Sequence, residues 1–423
     1  MAALNRIAQS DLLDRAGLRK QTEQIVYGAT RSGFRTAAAA ARAFTRRGSK
    51  KPGTRSAPTD PKGVFDLTPT EDQQMLADVV GEFAREVLGP RAHDADEACS
   101  TREEVLAGAT EIGIGLLGVP EALGGISAER SAVSATLVSE ALARADMGQA
   151  VAVLAPGAVA TAISLWGDDE QQQTYLPAFS GTEPPTAALV LAEPRPLFDP
   201  MAPSAVATRT RDGFTLTGTK SGVVRGERCE LFVVGALLDG VPALFLVPAD
   251  PETVQVEADP SMGVRAAGLT RVTFRDAAAE LLGDTEGRAH AECLRLSRIG
   301  WCALAVGTCQ AVLDYVKEYV TTREAFGEPI AQRQSVAFSV ADMAIELEAM
   351  RLLTWRAAAR VDAGQEYGRE AGLARTLCAE KAMRIGLDGV QLLGGHGFVK
   401  EHPVERWYRD LRAVAVLEGG VLV

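Results

Sequence analysis

The sequence predicts a mainly helical α+β protein with several domains, in which a β domain separates two helical ones. Aromatic residues make up only 5% of the chain, which favours aliphatic helical cores over all-β packing. Apolar residues recur at helical spacing in both terminal parts, whereas short runs of β-formers fill the middle. We expect an N-terminal helical domain at 64–183, a middle antiparallel β sandwich or barrel at 184–286, and a C-terminal four-helix bundle at 287–423.

Composition and charge restrict the class of protein. With 423 residues, 47% hydrophobic and 23% charged, the chain is typical of a soluble globular protein with two or three domains. The net charge of −11 is uneven, because residues 1–62 carry thirteen Lys/Arg against four Asp/Glu, a net +9 that leaves −20 for the rest. An acidic body argues against nucleic-acid binding.

The cysteines indicate neither disulfides nor a metal site. All six are scattered, without a Cys-x-x-Cys pair and without metal-like clustering with the four histidines. We therefore expect reduced thiols in a cytoplasmic protein. We also expect no membrane-spanning helix, because no stretch approaches the roughly 20 uninterrupted apolar residues that a span needs.

The segment 1–63 is predicted to be a basic arm followed by a linker. From Leu12 to Arg47 the pattern is helical, Ala-rich and studded with Arg, and residues 48–63 are punctuated by Pro and Gly. Two interpretations stay open for the arm: an amphipathic segment in peripheral contact with an anionic membrane or a partner, or a poorly ordered extension.

The first globular third carries helical signals. Thr70 is a plausible N-cap before apolar residues at helical spacing. Four more helices are expected at 101–113, 129–145, 149–165 and 168–177.

The residue pattern changes from helical spacing to short β-forming runs near Pro184. Short runs rich in β-formers follow, for example Leu231–Gly235 and Ala243–Val247, bounded by Gly, Asp and Pro. No Gly-x-Gly-x-x-Gly follows a strand, so a nicotinamide-type dinucleotide fold has no support. After Gly287 long helices are expected at 288–320, 331–363 and 366–394, with a final one beginning near Pro403.

This order of domains resembles the acyl-CoA dehydrogenase family over about residues 65–423. The stretches that carry the resemblance are Leu117-Gly-Val-Pro-Glu121 with Gly124-Gly125, Ser139-Glu-Ala-Leu-Ala-Arg-Ala-Asp146, Thr322-Arg-Glu-Ala-Phe-Gly-Glu-Pro-Ile330, Ala341-Asp-Met343, and the Gly-Gly-His-Gly-Phe and Pro-Val-Glu-Arg-x-Tyr-Arg-Asp motifs between 394 and 410. Any one of these stretches is weak evidence, but together and in this order they are specific for the resemblance to this family.

The resemblance implies α,β-dehydrogenation of an acyl-CoA thioester, with a carboxylate base, hydride transfer to FAD, and an electron-transfer flavoprotein as acceptor. Glu418, in Leu417-Glu418-Gly419-Gly420, falls on the base. An apolar pocket suits a carboxylate in that role, and Gly419 would let the backbone approach the substrate thioester. The alternative is a solvent-exposed carboxylate at a helix terminus. Some relatives place the base near Ser297, where this chain has no carboxylate.

The resemblance also implies binding residues. Arg323, Phe326 and Gln334 fall on positions that reach the flavin pyrophosphate and adenosine from a neighbouring subunit, and an arginine suits phosphate. A surface ion pair is the alternative for Arg323. Gln391, Gly394 and Gly395 match a turn at the ADP portion, although a helix stop explains the glycines as well. Arg298 matches an arginine at the CoA end of the substrate, but its usual acidic partner is replaced by Arg295.

Two flavin-facing loops depart from the family pattern. Where the family has a Thr that contacts the flavin ring and small residues after it, this chain has Ala192 and Arg195–Phe198. Gly222 and Val224 replace a Trp and a Thr of the second loop. Loss of these contacts predicts weaker cofactor binding, by on the order of a few kcal/mol.

Two functions therefore stay open. The first is an active FAD-dependent acyl-CoA dehydrogenase, and the second is a flavin-poor structural subunit of a hetero-oligomeric one. Either form is expected to assemble as a homo- or hetero-oligomer. The acyl chain length cannot be inferred from the sequence.

Overall fold

The computed structural model describes residues 67–423, apart from residues 127, 182 and 212. The predicted basic arm and linker at 1–63 lie outside the described residues, and so does the predicted membrane or partner contact of that arm. Residues 67–423 form one compact unit.

Helices fill the first part of this unit. They are α1 (Glu71–Phe83), α2 (Ala92–Ala98), α3 (Glu103–Glu111), α4 (Ala132–Ala145), α5 (Met147–Trp166) and α6 (Asp169–Phe179). The predicted cap is confirmed: the Thr70 hydroxyl accepts a hydrogen bond from the Gln73 amide, and the Gln73 side chain accepts one from the Thr70 amide.

Seven strands form the middle part. They are β1 (Ala187–Val190), β2 (Val206–Arg209), β3 (Phe214–Val224), β4 (Leu231–Leu238), β5 (Val241–Pro248), β6 (Val254–Ala258) and β7 (Leu269–Leu282). Pairing runs from β4 through β2, β3, β7 and β5 back to β4, so these five strands close on themselves as a barrel. Most pairs are antiparallel as predicted, but β1 and β2 both pair with β4 in parallel.

Long helices form the last part. They are α7 (Arg288–Thr322), α8 (Gln334–Asp362), α9 (Gly368–Leu393) and the short α10 (Val404–Leu411), with a two-stranded hairpin, β8 (Glu324–Ala325) and β9 (Glu328–Pro329), between α7 and α8. The core of α7 is fully buried from Ile299 to Cys309, where it packs against both other parts of the molecule. These elements confirm the predicted fold class.

The expectation that no apolar stretch reaches the length of a membrane span was wrong. By length and composition, α5 and α7 are both long and apolar enough to cross a membrane. Most of each helix is buried inside the protein, as expected for a core helix that packs against others all round.

Two ion pairs join α10, in the last part of the chain, to helices of the first part. Arg406 on α10 lies 3.3 Å from the carboxylate of Asp146, the N-cap of α5. Arg409 pairs with Asp96 at 2.8 Å. These buried ion pairs orient α10, and thereby the segment that follows it.

Candidate active site

Glu418 lies where the end of the chain meets the barrel. After α10 the chain turns back, and Gly419 forms an antiparallel bridge with Val190 of β1 while the Gly420 amide donates to the Leu189 carbonyl at 2.8 Å. Both glycines have positive φ, 83° and 77°. A Cβ atom on Gly419 would lie 2.8 Å from the Leu189 oxygen, so this close approach requires glycine.

The Glu418 carboxylate is nearly buried, with 9% of its side chain exposed, and it is paired with two arginines. Arg298 of α7 donates to both carboxylate oxygens, from Nε at 3.0 and 3.1 Å and from Nη2 at 2.7 Å. Arg375 of α9 donates to the same carboxylate at 3.4 Å. The alternative of a solvent-exposed carboxylate therefore does not match the structure.

The peptide that follows Glu418 is held by α7. The Gly419 amide donates to the Ser297 hydroxyl at 3.1 Å. The indole of Trp301 donates to the Gly419 carbonyl at 2.8 Å. Ser297, at the position where some relatives carry the base, thus fixes the backbone next to Glu418.

A buried ion pair supports the first flavin-facing loop. Lys220 and Glu193 meet at 3.0 Å with 0% and 1% of their side chains exposed. Burial lowers the pKa of Lys220 to about 8. Burial opposes ionisation of Glu193 too, but Lys220 and hydrogen bonds from Ser204 and Ala205 outweigh it and hold the pKa of Glu193 below its usual range.

His290 lies beside this pair at the start of α7. It is 1% exposed, and its Nδ1 has no hydrogen-bond partner among the described residues. Burial, together with the charge of Lys220, lowers the pKa of His290 to about 4. The imidazole is therefore neutral at pH 7 and packs against Gly235, where a Cβ atom would lie 2.8 Å from its Nε2.

The residues that depart from the family pattern lie in two different settings. Two of the bulky replacements, Arg195 and Leu197, are exposed, and Leu197 fully so, whereas Phe198 is half-buried with the Arg195 guanidinium 5.7 Å from its ring. Gly222 and Val224, in contrast, face the end of the chain. A Cβ atom on Gly222 would lie 2.9 Å from Leu417, and one on Gly420 would lie 3.5 Å from Val224.

The residues predicted to reach the flavin from a neighbouring subunit lie at the far end of α7. Arg323 follows the helix, is exposed, and makes no ion pair with any described residue, so the alternative of a surface pair with Glu324 is absent there. Phe326 is 95% exposed at the tip of the β8–β9 hairpin, and the Arg333 guanidinium lies 5.2 Å from its ring. Gln334 is exposed at the start of α8.

The predicted ADP-binding turn lies near the same end. Gln391 is exposed, and Gly394 and Gly395 have open space where a Cβ atom would be. Tyr319, one turn before the end of α7, hydrogen-bonds His396 at 2.7 Å and so fixes this turn against the helix.

The structure therefore brings together one part of the predicted site and separates another. Arg298, Glu418 and Gly419 are in contact. The six predicted cofactor residues lie at the other end of α7, since the 25 residues from Arg298 to Arg323 span roughly 37 Å.

Sequence reasoning missed Arg375, Trp301 and the Lys220–Glu193 pair. Arg375 lies on a long helix with several arginines, and no local signal marks it as the one that reaches Glu418. No group of three His, Cys, Asp or Glu that could hold a metal ion occurs among the described residues.

Comparison with known proteins matches each part of the chain in turn. The family models for the acyl-CoA dehydrogenase N-terminal, middle and C-terminal domains match residues 70–183, 188–277 and 287–420.

Similar proteins cover nearly the whole described region. The chain is 32% identical over 366 residues to the mitochondrial short-chain specific acyl-CoA dehydrogenase of Mus musculus, covering 82% of this chain and 87% of that protein. Butyryl-CoA dehydrogenase from Megasphaera elsdenii has a similar structure, with a TM-score of 0.76, 27% identity, and coverage of 83% and 95%. A chain in a structure described as an electron transferring flavoprotein of Acidaminococcus fermentans gives a TM-score of 0.76 at 30% identity, with the same coverage. The chain belongs to the acyl-CoA dehydrogenase family, whose members are FAD-dependent oxidoreductases acting on acyl-CoA.

Proposed function

We propose that this protein dehydrogenates an acyl-CoA thioester between the α and β carbons, with Glu418 as the base that takes the α-proton. The observation that carries the proposal is the position of Glu418: a nearly buried carboxylate at the junction of the barrel, α7 and α9. When bound, FAD supplies the acceptor for the β-hydride. A positioned carboxylate base contributes about 10² to 10⁴ in rate.

Arg298 and Arg375 have two roles in this proposal. They hold the carboxylate in one orientation, and their positive charge stabilises its anionic form until the substrate binds. Because Arg298 occupies both carboxylate oxygens, it has to release one of them before Glu418 accepts a proton. Binding of the CoA portion by Arg298, as the family pattern implies, would provide that release.

The residues for the ADP portion of FAD fit such a group. Gly394 and Gly395 leave the backbone of the turn open, and the exposed Arg323, which has no ion pair within the described part of the chain, offers its guanidinium to phosphate. The ring-facing positions Gly222 and Val224 are covered by Leu417 and Gly420, so the ring would require the end of the chain to shift.

The same geometry supports assembly of several copies. Arg323 and Glu418 lie too far apart within one chain to serve one flavin, so a second copy would supply one of the two ends. An apolar stripe on α8 supports this, since Phe338, Ile345 and Leu352, spaced by seven residues, are 59%, 67% and 46% exposed. Exposed apolar residues in line on a helix indicate an interface.

The flavin-poor structural subunit has less support. The replacements at 195–197 are exposed to solvent, and the ADP-facing residues are present. We further propose an electron-transfer flavoprotein as the electron acceptor, in line with the similar chain from the Acidaminococcus fermentans structure.

Glu418→Gln tests the proposal. Purified wild-type protein reconstituted with FAD should be yellow and should lose its flavin absorbance anaerobically on addition of butyryl-CoA. Glu418→Gln should retain the flavin but bleach at least about a hundredfold more slowly. Glu401→Gln, at an exposed position, is the matched control and should bleach like the wild type. A colourless wild type, or unchanged bleaching in Glu418→Gln, would contradict the proposal.

A further inference from the structure

Glu418 has one side that is exposed to solvent and one that is buried. On the exposed side, 30% of the Arg298 side chain is exposed, and Val416, two residues before the base, is 72% exposed. On the buried side lie Ser297 and Trp301 of α7, both of which are fully buried. A CoA moiety carries several phosphate charges, which an apolar core does not accommodate. The CoA part of a bound thioester therefore has to lie on the exposed side, and its acyl end has to extend toward the buried side.

Trp301 closes the buried side. It is the largest fully buried side chain among the described residues, with 1% exposure. Its indole nitrogen donates to the Gly419 carbonyl at 2.8 Å, so the indole lies directly against the peptide that follows the base. A Cβ atom on Gly420 would lie 3.9 Å from the indole and 3.5 Å from Val224 of β3. The indole therefore occupies the space between α7, the Gly419–Gly420 backbone and the second flavin-facing loop.

The helix α7 keeps the indole in place. Residues 299–309 of this helix are all buried. Ser297 and Trp301 are four residues apart, so they lie on the same face of α7, and both bind the Gly419 peptide. A ligand that displaces the backbone from Leu417 to Gly420 still meets the indole, because the indole belongs to the buried helix and not to the segment that moves.

We propose that Trp301 forms the floor of the acyl site and restricts the substrate to short acyl groups, such as butyryl. This inference rests on the proposed function, because it takes the carbons beside Glu418 as the α and β carbons of the thioester. An acyl group with few carbons beyond the β position ends before it reaches the indole. A longer acyl group has no space in which to bury its additional methylenes, each of which contributes about fourfold in affinity when it is buried.

Binding of ligands of increasing length tests the inference. Dissociation constants are measured by calorimetry for S-butyl-, S-hexyl- and S-octyl-CoA, thioethers that lack the carbonyl group and are therefore not dehydrogenated, with FAD-reconstituted protein. Wild type should bind the butyl thioether at least about tenfold more tightly than the octyl thioether. Trp301→Ala should shift this ratio about ten- to hundredfold toward the octyl thioether, because an apolar cavity of roughly 150 Å³ accepts a ligand as large as benzene.

Two further variants keep the inference testable if Trp301→Ala does not fold. Trp301→Leu should shift the ratio in the same direction by a smaller factor. Trp301→Phe loses the indole donor but keeps an aromatic ring, so it should retain most of the wild-type preference, which separates the size of the side chain from its hydrogen bond. Trp166→Leu, which removes a half-buried indole that donates to Glu292, is the matched control and should leave the ratio unchanged.

Two results would overturn this inference: Trp301→Ala and Trp301→Leu change the affinity for all three lengths by the same factor, or wild type binds the octyl thioether as tightly as the butyl one. Flavin bleaching by butyryl-CoA separates the two proposals. A length preference that depends on Trp301, without bleaching, retains the floor of the binding site and removes the dehydrogenase. Bleaching together with a length preference that does not depend on Trp301 retains the dehydrogenase and removes Trp301 as the determinant of length.

Discussion

The two ends of α7 differ in how far the chain completes its own site. Around Arg298, polar groups from different elements are in contact: Glu418 and the Gly419 peptide from the end of the chain, and Arg375 from α9. Around Arg323, the equivalent groups are exposed and the glycine turn at 394–395 is open. We call the first the closed end and the second the open end. The difference indicates that a cofactor or a second copy completes the open end. At the closed end, a ligand has to displace Arg298 from Glu418 or move the end of the chain away from Gly222.

The largest expected effect concerns the charges beneath the closed end. Lys220→Met removes the buried cation of the Glu193 carboxylate, which is 1% exposed, and leaves only the half-exposed Arg195 at 3.8 Å; this should lower the free energy of unfolding by about 3 to 5 kcal/mol. Urea unfolding followed by circular dichroism measures this change. Arg209→Met, which removes an exposed pair with Asp239, is the control and should change it by less than about 1 kcal/mol. Equal effects of the two variants would contradict the view that the closed end depends on buried charge.

His290 should make stability at the closed end depend on pH. Its pKa of about 4 lies below the usual 6.5, so between these values the unfolded chain binds a proton that the folded protein does not. The contribution of neutral His290 to the free energy of unfolding is complete above pH 6.5. It is lost as the pH falls to 4, and the total loss is about 3 kcal/mol. Unfolding midpoints from pH 4 to 7 should show a weaker slope for His290→Gln than for wild type. The exposed His93→Gln serves as control, and a slope unaffected by His290→Gln would count against this assignment.

A pair of glycine substitutions compares the two ends directly. Gly419→Ala places a Cβ atom 2.8 Å from the Leu189 oxygen at a φ of 83°, which should lower the free energy of unfolding by about 2 kcal/mol. Gly395→Ala meets no atom within 4 Å and should leave that energy within about 0.5 kcal/mol of wild type. Thermal unfolding of both variants measures the difference, and a reversed order would show that the open end is the more constrained.

The smallest effect on stability is expected at the open end. Arg323→Leu removes a guanidinium without a described ion pair, so the unfolding midpoint should stay unchanged. FAD affinity, measured by fluorescence titration of the apoprotein, should fall about ten- to hundredfold. Arg288→Leu, at 79% exposure, is the control. Unchanged FAD affinity in Arg323→Leu would remove Arg323 from the cofactor site.

Local signals determined most of the secondary structure. The structure contains the elements that three local patterns predicted. These patterns are the Thr70 cap, the switch from helical to β-forming residues near Pro184, and the long helical periodicity after Gly287. These features depend on neighbours within a few residues, which a single sequence displays. The apolar length of α5 and α7 was underestimated in the sequence, although composition alone shows it; only the structure shows that most of each helix is buried inside the protein.

The site was predicted only where a motif marks it. Glu418 and Arg298 were identified from their motifs, but their mutual ion pair joins positions 120 residues apart, and nothing local indicates it. Arg375 was not identified at all, because it is one arginine among many until the fold brings it to Glu418.

The sequence by itself therefore determined the order of helical and β parts, the family, and the position of the carboxylate. The tertiary structure alone decided which groups surround that carboxylate: two guanidiniums and the Ser297 hydroxyl that holds the next peptide. The physical reason is the separation along the chain over which each kind of interaction acts. Caps, turns and periodicity act between neighbours in the chain, whereas the charge and packing of a site depend on side chains that meet only after the barrel and the helices have packed together.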